Sequence, residues 1–283
     1  MLGLPDDIRA FLFDLDGVLT QTATVHAAAW KDTFDAFLRA EAARTGGPFI
    51  PFDAVADYDA HVDGRPRLDG TRAFLHSRGV DLPEGTDADP PGARTVHGVS
   101  RAKNDTVLRM IREQGVAPYD GSVRYVRRLR ALALPTAVVS SSANCRDVLR
   151  AAGIEGFFDV IVDGVVAKRE GLPGKPAPDT YLAAARALGV EPAHAAVFED
   201  ALAGVASGRA GGFGAVVGVD RTGQAAELRR DGATVVVRDL AELIPDDPGR
   251  SDDPDHLDHP DHSDHSGDSG DSGDDGRPEE ASA

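Results

Sequence analysis

The apolar run Phe11-Leu12-Phe13 ends in Asp14-Leu15-Asp16-Gly17. Carboxylates this close repel each other unless a cation or a proton intervenes, so the pair marks either an ion site or a structural turn. Three more polar clusters follow. Ser140-Ser141-Ser142 and Asn144 come directly after the apolar run 136–139. Hydroxyls and N–H groups at a strand end and helix start suit a phosphate, although Ser142 or Asn144 could equally cap the helix. Lys175, in Gly174-Lys175-Pro176, precedes a proline-opened helix. It is placed to neutralise a phosphoryl oxygen as a point cation, or else to face solvent. Glu199-Asp200 ends the run 195–198 and adds two carboxylates. Hard oxygen donors with few nitrogens or sulfurs select Mg²⁺.

These clusters need elements to position them. Apolar runs at 9–15, 135–140, 160–162, 195–198, 215–219 and 234–237 read as strands. Helical patterns at 121–131, 144–152, 179–188, 202–210 and 224–230 separate most of them. Strands apolar on both faces, joined by crossover helices, predict an α/β fold with a doubly wound parallel, Rossmann-like sheet. Such sheets bind ligands at the carboxyl ends of their strands, where Asp14, Ser140 and Glu199 fall. Residues 22–117 break the alternation. They hold helical patterns at 25–44, 70–77 and 103–114, with loops at 46–51 and 83–92, and no comparable buried strand. The expected organisation is a core of residues 1–21 and 118–245, an inserted α-helical cap of residues 22–117, and a disordered acidic tail of residues 246–283.

In this order, Asp14-x-Asp16-Gly17-Val18, the serine cluster, Lys175-Pro176 and Glu199-Asp200 resemble the four motifs of the haloacid dehalogenase superfamily of phosphotransferases, across residues 8–245. The stretches DLDGVLTQTATVHAAAWK, VVSSSAN and GKPAPDTYLAAA are similar to its β-phosphoglucomutase-like branch. The resemblance implies that Asp14 attacks phosphorus to form an aspartyl-phosphate. Asp16 protonates the leaving oxygen and deprotonates the incoming hydroxyl, while Ser140 and Lys175 neutralise phosphoryl oxygens. Mg²⁺ is held by Asp14, the Asp16 carbonyl, Glu199 and Asp200. A phosphorylated hexose is contacted by Thr22, His26, Trp30, Gly64, Arg67, Lys103, Asn104, Ser141, Ser142 and Asn144. The cap's phosphate clamp is assigned to Arg67, in Gly64-Arg65-Pro66-Arg67; Gly98-Val99-Ser100-Arg101 is the alternative, and a solvated helix face would also explain these basic residues. The implied reaction interconverts β-D-glucose 1-phosphate and glucose 6-phosphate through the 1,6-bisphosphate. A sugar-phosphate phosphatase with the same nucleophile is the nearest alternative, and a non-catalytic sugar-phosphate sensor a remote one. Two departures stand out: Gln21 where the branch usually has an aspartate, and Ala143 where some members place a lysine.

Composition removes other classes. Among 283 residues, 47 acidic and 30 basic side chains give a net charge of −17. Residues 246–283 carry 14 of those acids and 2 of those bases, leaving −5 for the rest. An acidic chain argues against non-specific nucleic-acid binding. Its one cysteine, Cys145, excludes an intrachain disulfide framework or a multi-cysteine zinc site. No apolar run approaches the roughly 20 residues of a membrane span, and MLGLPDDIRA does not read as a signal peptide. The expectation is a cytoplasmic monomer. Cys145 follows Asn144 at a helix start, where a thiolate is favoured; the carboxylate chemistry leaves it no role. His256, His259, His262 and His265 recur among aspartates in the tail, a composition that can bind metal weakly or simply be solvated.

Overall fold

The computed structural model describes residues 2–245; the acidic tail and its histidines lie outside the described residues. Six strands form one parallel sheet: β1 (Ala10–Phe13), β2 (Thr136–Val139), β3 (Val160–Val162), β4 (Ala195–Glu199), β5 (Ala215–Val219) and β6 (Val235–Val237), in the order β3-β2-β1-β4-β5-β6. The order reverses at β1, the topological switch point where such sheets bind ligands. The strands are apolar on both faces because helices cover both. Phe11 and Phe13 of β1 pack with Tyr125 and Leu129, while Ala10 and Leu12, pointing the other way, pack with Tyr181 and Ala184. Phe13 and Phe198 on adjacent strands stack at 4.4 Å between centroids.

Between β1 and β2 the chain forms α1 (Ala23–Thr45), a π-helical turn (Tyr58–Val62), α2 (Arg67–Ser77) and α3 (Val96–Gln114), then α4 (Asp120–Ala131) on the sheet. The first three helices are the cap, and they have their own core: Trp30 and Phe34 of α1 with Phe52, Phe74 and Val99. Phe34 lies 4.1 Å from Phe74 and 4.8 Å from Trp30, centroid to centroid. The outgoing and returning chains run side by side, with Thr20 bridged to Pro118 in antiparallel fashion. Gln21 joins that seam, its N–H donating to Ala117 O at 2.9 Å and its side chain to Pro118 O at 3.3 Å. The amide thus serves at the position where the resembled branch usually has an aspartate.

After β2 come α5 (Cys145–Ala151), α6 (Gly164–Glu170), α7 (Asp179–Ala187), α8 (Leu202–Ala210) and α9 (Ala225–Asp231). Helix α6 was not foreseen. Helix α3 starts seven residues earlier than expected, because Thr95 Oγ1 caps it by accepting from Gly98 N at 3.0 Å. Residues 98–101 are therefore helix rather than loop. Among the described residues no helix is long and apolar enough to cross a membrane.

Candidate active site

The carboxyl edge of the sheet brings Asp14, Ser140, Lys175, Glu199 and Asp200 into one region. Lys175 is buried rather than solvent-facing. Its ammonium pairs with Asp14, lies 2.6 Å from Glu199 Oε1 and donates to Val139 O at 3.1 Å. Tyr181 Oη donates to the same Glu199 oxygen at 2.8 Å. Burial disfavours the Lys175 charge, but Asp14 and Glu199 outweigh it and hold its pKa above the ordinary lysine value. Burial pushes the Asp14 carboxyl up despite Lys175, and burial with Asp63 nearby does the same to Asp200.

Asp14, Glu199 and Asp200 offer oxygens that all lie within 4.8 Å of one another. Two buried carboxylates and the half-buried Asp200 lie around an ammonium that pairs with the first two, and the donor set is all hard oxygen; this suits a small divalent cation. Two glycines permit the crowding. Gly17 has φ +85°, and a Cβ there would fall 1.6 Å from Asp200 Oδ2. A Cβ on Gly204 would fall 1.8 Å from Glu199 Oε1. The Asp16 side chain points away from this trio towards the cap. It accepts a hydrogen bond from Thr22 Oγ1 and lies 3.7 Å from His26 Nε2.

A cavity of about 520 Å³ spans the sheet edge and the cap. Ser140, Ser141, Ser142 and Asn144 line one side, and Ser142 N donates to Ser140 Oγ at 3.1 Å. From the cap come His26, Trp30, Gly64, Arg67, Lys103 and Asn104. Lys103 Nζ sits 2.9 Å from His26 Nδ1 and 4.8 Å from the centre of the Trp30 ring. Burial, reinforced by Lys103, pushes His26 down to about 4; burial alone dominates at Lys103 and pushes it to about 7. His26 is thus a half-buried group whose surroundings disfavour its charged form, not a surface histidine. Arg67 donates from Nε to Ser100 Oγ at 2.8 Å and is hydrogen-bonded to Asn104. Asn104 in turn accepts from Asn144 Nδ2 at 3.0 Å. Ser141 Oγ donates to Gly64 O at 2.9 Å, and Gly64, at φ +67°, approaches Ala201 so closely that a Cβ would meet its Cβ at 3.0 Å.

Every side chain expected in the site lines this cavity or, like Thr22, Lys175 and Glu199, contacts a residue that does. Arg101 is engaged elsewhere, donating to the carbonyls of Asp87 and Asp89 at 2.9 and 3.3 Å. Cys145 departs from expectation: it is fully buried, and burial pushes its thiol pKa up rather than down. Sequence reasoning missed Tyr58, Asp63, Asp87 and Lys168, all of which line the cavity. Burial, then Glu199, pushes Asp63 up to about 7. Asp63 immediately precedes Gly64, so its place in the cap loop was the available signal.

A model of haloacid dehalogenase-like hydrolases matches residues 8–212. A β-phosphoglucomutase of Mycobacterium bovis is 56% identical over 247 residues, covering 86% of this chain and 94% of that protein. A fructose-1-phosphate phosphatase of Escherichia coli is 29% identical over 206 residues, covering 72% of this chain and 93% of that protein. The crystal structure of a β-phosphoglucomutase from Clostridium difficile matches with a TM-score of 0.65 at 25% identity, covering 83% of this chain and 93% of that one.

Proposed function

The chain belongs to the haloacid dehalogenase-like hydrolase family, and from that premise we propose that it is a β-phosphoglucomutase, interconverting β-D-glucose 1-phosphate and glucose 6-phosphate through a 1,6-bisphosphate. One observation carries the reading. A single cavity has groups suited to a phosphate on each side: Ser140 and Asp14, with Lys175 buried behind Asp14, on the core, and Arg67, held by Ser100 and Asn104, on the cap. A phosphatase needs only the first wall. A mutase must hold a sugar carrying two phosphates in either orientation. The 56% identity to a β-phosphoglucomutase supports the same choice.

In this reading residues 22–117 are the cap over a core of residues 1–21 and 118–245. Asp14 is the nucleophile, since a carboxylate is a competent phosphoryl acceptor. Lys175 keeps its oxygens oriented and, with Ser140, neutralises the phosphoryl oxygens as charge develops. Asp16 gives a proton to the leaving oxygen and removes one from the incoming sugar hydroxyl. Thr22 and His26 hold it towards the cap, where the sugar binds. Asp14, Glu199, Asp200 and the Asp16 carbonyl would hold Mg²⁺, which when bound screens carboxylate and phosphate charges from each other. Arg67 takes the second phosphate with Ser142 and Asn144. Gly64, Ser141 and the Asn104–Asn144 bond bring the walls together and exclude water, so that the aspartyl-phosphate survives until a hydroxyl arrives.

The test follows glucose 6-phosphate and free phosphate together, with enzyme, Mg²⁺, β-D-glucose 1-phosphate and a trace of hexose bisphosphate. Rapid glucose 6-phosphate formation with little phosphate release is expected. Phosphate release without isomerisation would mean a phosphomonoester hydrolase instead. Arg67→Ala should slow isomerisation at least about ten-fold more than hydrolysis of a small phosphate ester, because only the sugar bisphosphate uses that wall.

A further inference from the structure

Asp87 lies in the loop between α2 and α3, and its carboxylate reaches across to the core. One oxygen lies 2.6 Å from Lys168 Nζ on α6, and the other lies 3.1 Å from His97 Nδ1. Asp87 also contributes to the field at Arg67. A carboxylate is thus paired with a lysine and set beside an imidazole where it lines the cavity, near the wall that a second phosphate must reach. The loop carrying it is fixed by Arg101, which binds the carbonyls of Asp87 and Asp89.

Lys168 is equally well placed. The start of α6 packs on the serine cluster: Gly164 N donates to Ser142 O at 3.1 Å, and a Cβ on Gly164 would meet Ala143 N at 2.9 Å. Lys168, four residues on, shares that helix face. The segment 140–144 offers hydroxyls and an amide but no cation. That segment therefore brings no positive charge of its own to the second phosphate site.

We infer that Lys168 binds the distal phosphate of the sugar substrate from the core side, facing Arg67, and that Asp87 occupies this position as an internal carboxylate that the phosphate displaces. The inference rests on the sugar-phosphate reading above. Phosphate carries more charge and more acceptor oxygens than a carboxylate, so it is the stronger partner for both cations. Asp87 keeps Lys168 oriented towards the cavity while no substrate is bound. Lys168 is exposed, so replacing it leaves the core intact.

The experiment measures calorimetric binding of glucose 1,6-bisphosphate to the full chain with Mg²⁺, on an Asp14→Asn background so that the ligand is not consumed. Adding Lys168→Met should weaken binding about ten-fold, the scale of one charge-assisted contact. Lys168→Arg should restore most of it. Asp87→Asn should tighten binding by about two- to five-fold, because a competitor is removed. Unchanged affinity in Lys168→Met, weaker binding in Asp87→Asn, or no binding by the parent would each overturn the inference. Isomerisation by the wild-type chain is assayed separately. If it isomerises while Lys168→Met binds normally, only the inference falls; if it merely hydrolyses while binding depends on Lys168, only the mutase reading falls.

Discussion

Lys175 sets the electrostatics of the site, because among the described residues it is the one ammonium paired with both Asp14 and Glu199. Replacing one partner of a buried ion pair leaves uncompensated charge, at a cost of about 3–5 kcal/mol. Lys175→Met should therefore lower the unfolding free energy by that order, read as a lower denaturant midpoint in chelator. An unchanged midpoint would mean that the pair contributes nothing to the fold. Asp14→Asn keeps shape and volume, removes the proposed nucleophile and leaves Lys175 compensated by Glu199; turnover should fall by at least about 10⁴-fold with the thermal transition preserved. Residual turnover near the wild-type rate would eliminate the aspartyl-phosphate. Lys103 predicts a pH dependence. Its folded value of about 7 lies below the ordinary 10.5. Between those values the unfolded chain binds a proton that the folded chain does not, so this group makes stability rise with pH across that window. Its penalty is fully present below pH 7. Lys103→Met should therefore stabilise the ligand-free protein most near pH 6, and the gain should shrink towards pH 10 in paired denaturant titrations.

At the scale of elements, the cap loop meets the core through glycines. A Cβ on Gly174 would lie 2.2 Å from Pro66 Cγ. Gly174→Val should push the loop carrying Gly64 and Arg67 away, costing isomerisation about ten-fold or more while small-ester hydrolysis falls less. Equal losses in the two assays would show that this contact does not position the cap. The same scale shows what a sequence can reveal. Six buried parallel strands were legible because both of their faces meet helices, which makes each a continuous apolar run. Asp14, Ser140 and Glu199 were legible because the chain places them at the ends of those runs. Helix α6 was not, because it is two turns long, buries none of its residues fully and follows β3 after only Asp163. The start of α3 was obscured by Gly98, a poor helix former that is needed there because a Cβ would meet Ala93 O at 2.4 Å. Asp87 and Lys168 reach the cavity only through tertiary contacts, so no spacing in the sequence marks them; Asp63 is marked only by its place beside Gly64.

For the whole molecule, the acidic trio could hold a metal ion, and on the proposed reading that ion would link fold and activity. A cation bound only by the folded chain raises stability by mass action, about 2.7 kcal/mol at a hundred times its dissociation constant. Mg²⁺ should raise the thermal midpoint by several degrees, and chelator should abolish turnover. Asp200→Asn should lose most of the thermal shift; a full shift in that variant would place the cation elsewhere. Cap and core meet through Ser141 with Gly64, Asn104 with Asn144 and Asp87 with Lys168. The chain crosses between them at the Thr20–Pro118 bridge, with its two passages side by side.

Trp30 is the chain's only tryptophan. Its indole is stacked on Phe34 and lies beneath the Lys103 ammonium at the cavity wall. The protein therefore carries its own fluorophore at the place where a sugar would settle. Any event that withdraws that ammonium or shields the ring is recorded in the emission of a single residue, with no label attached.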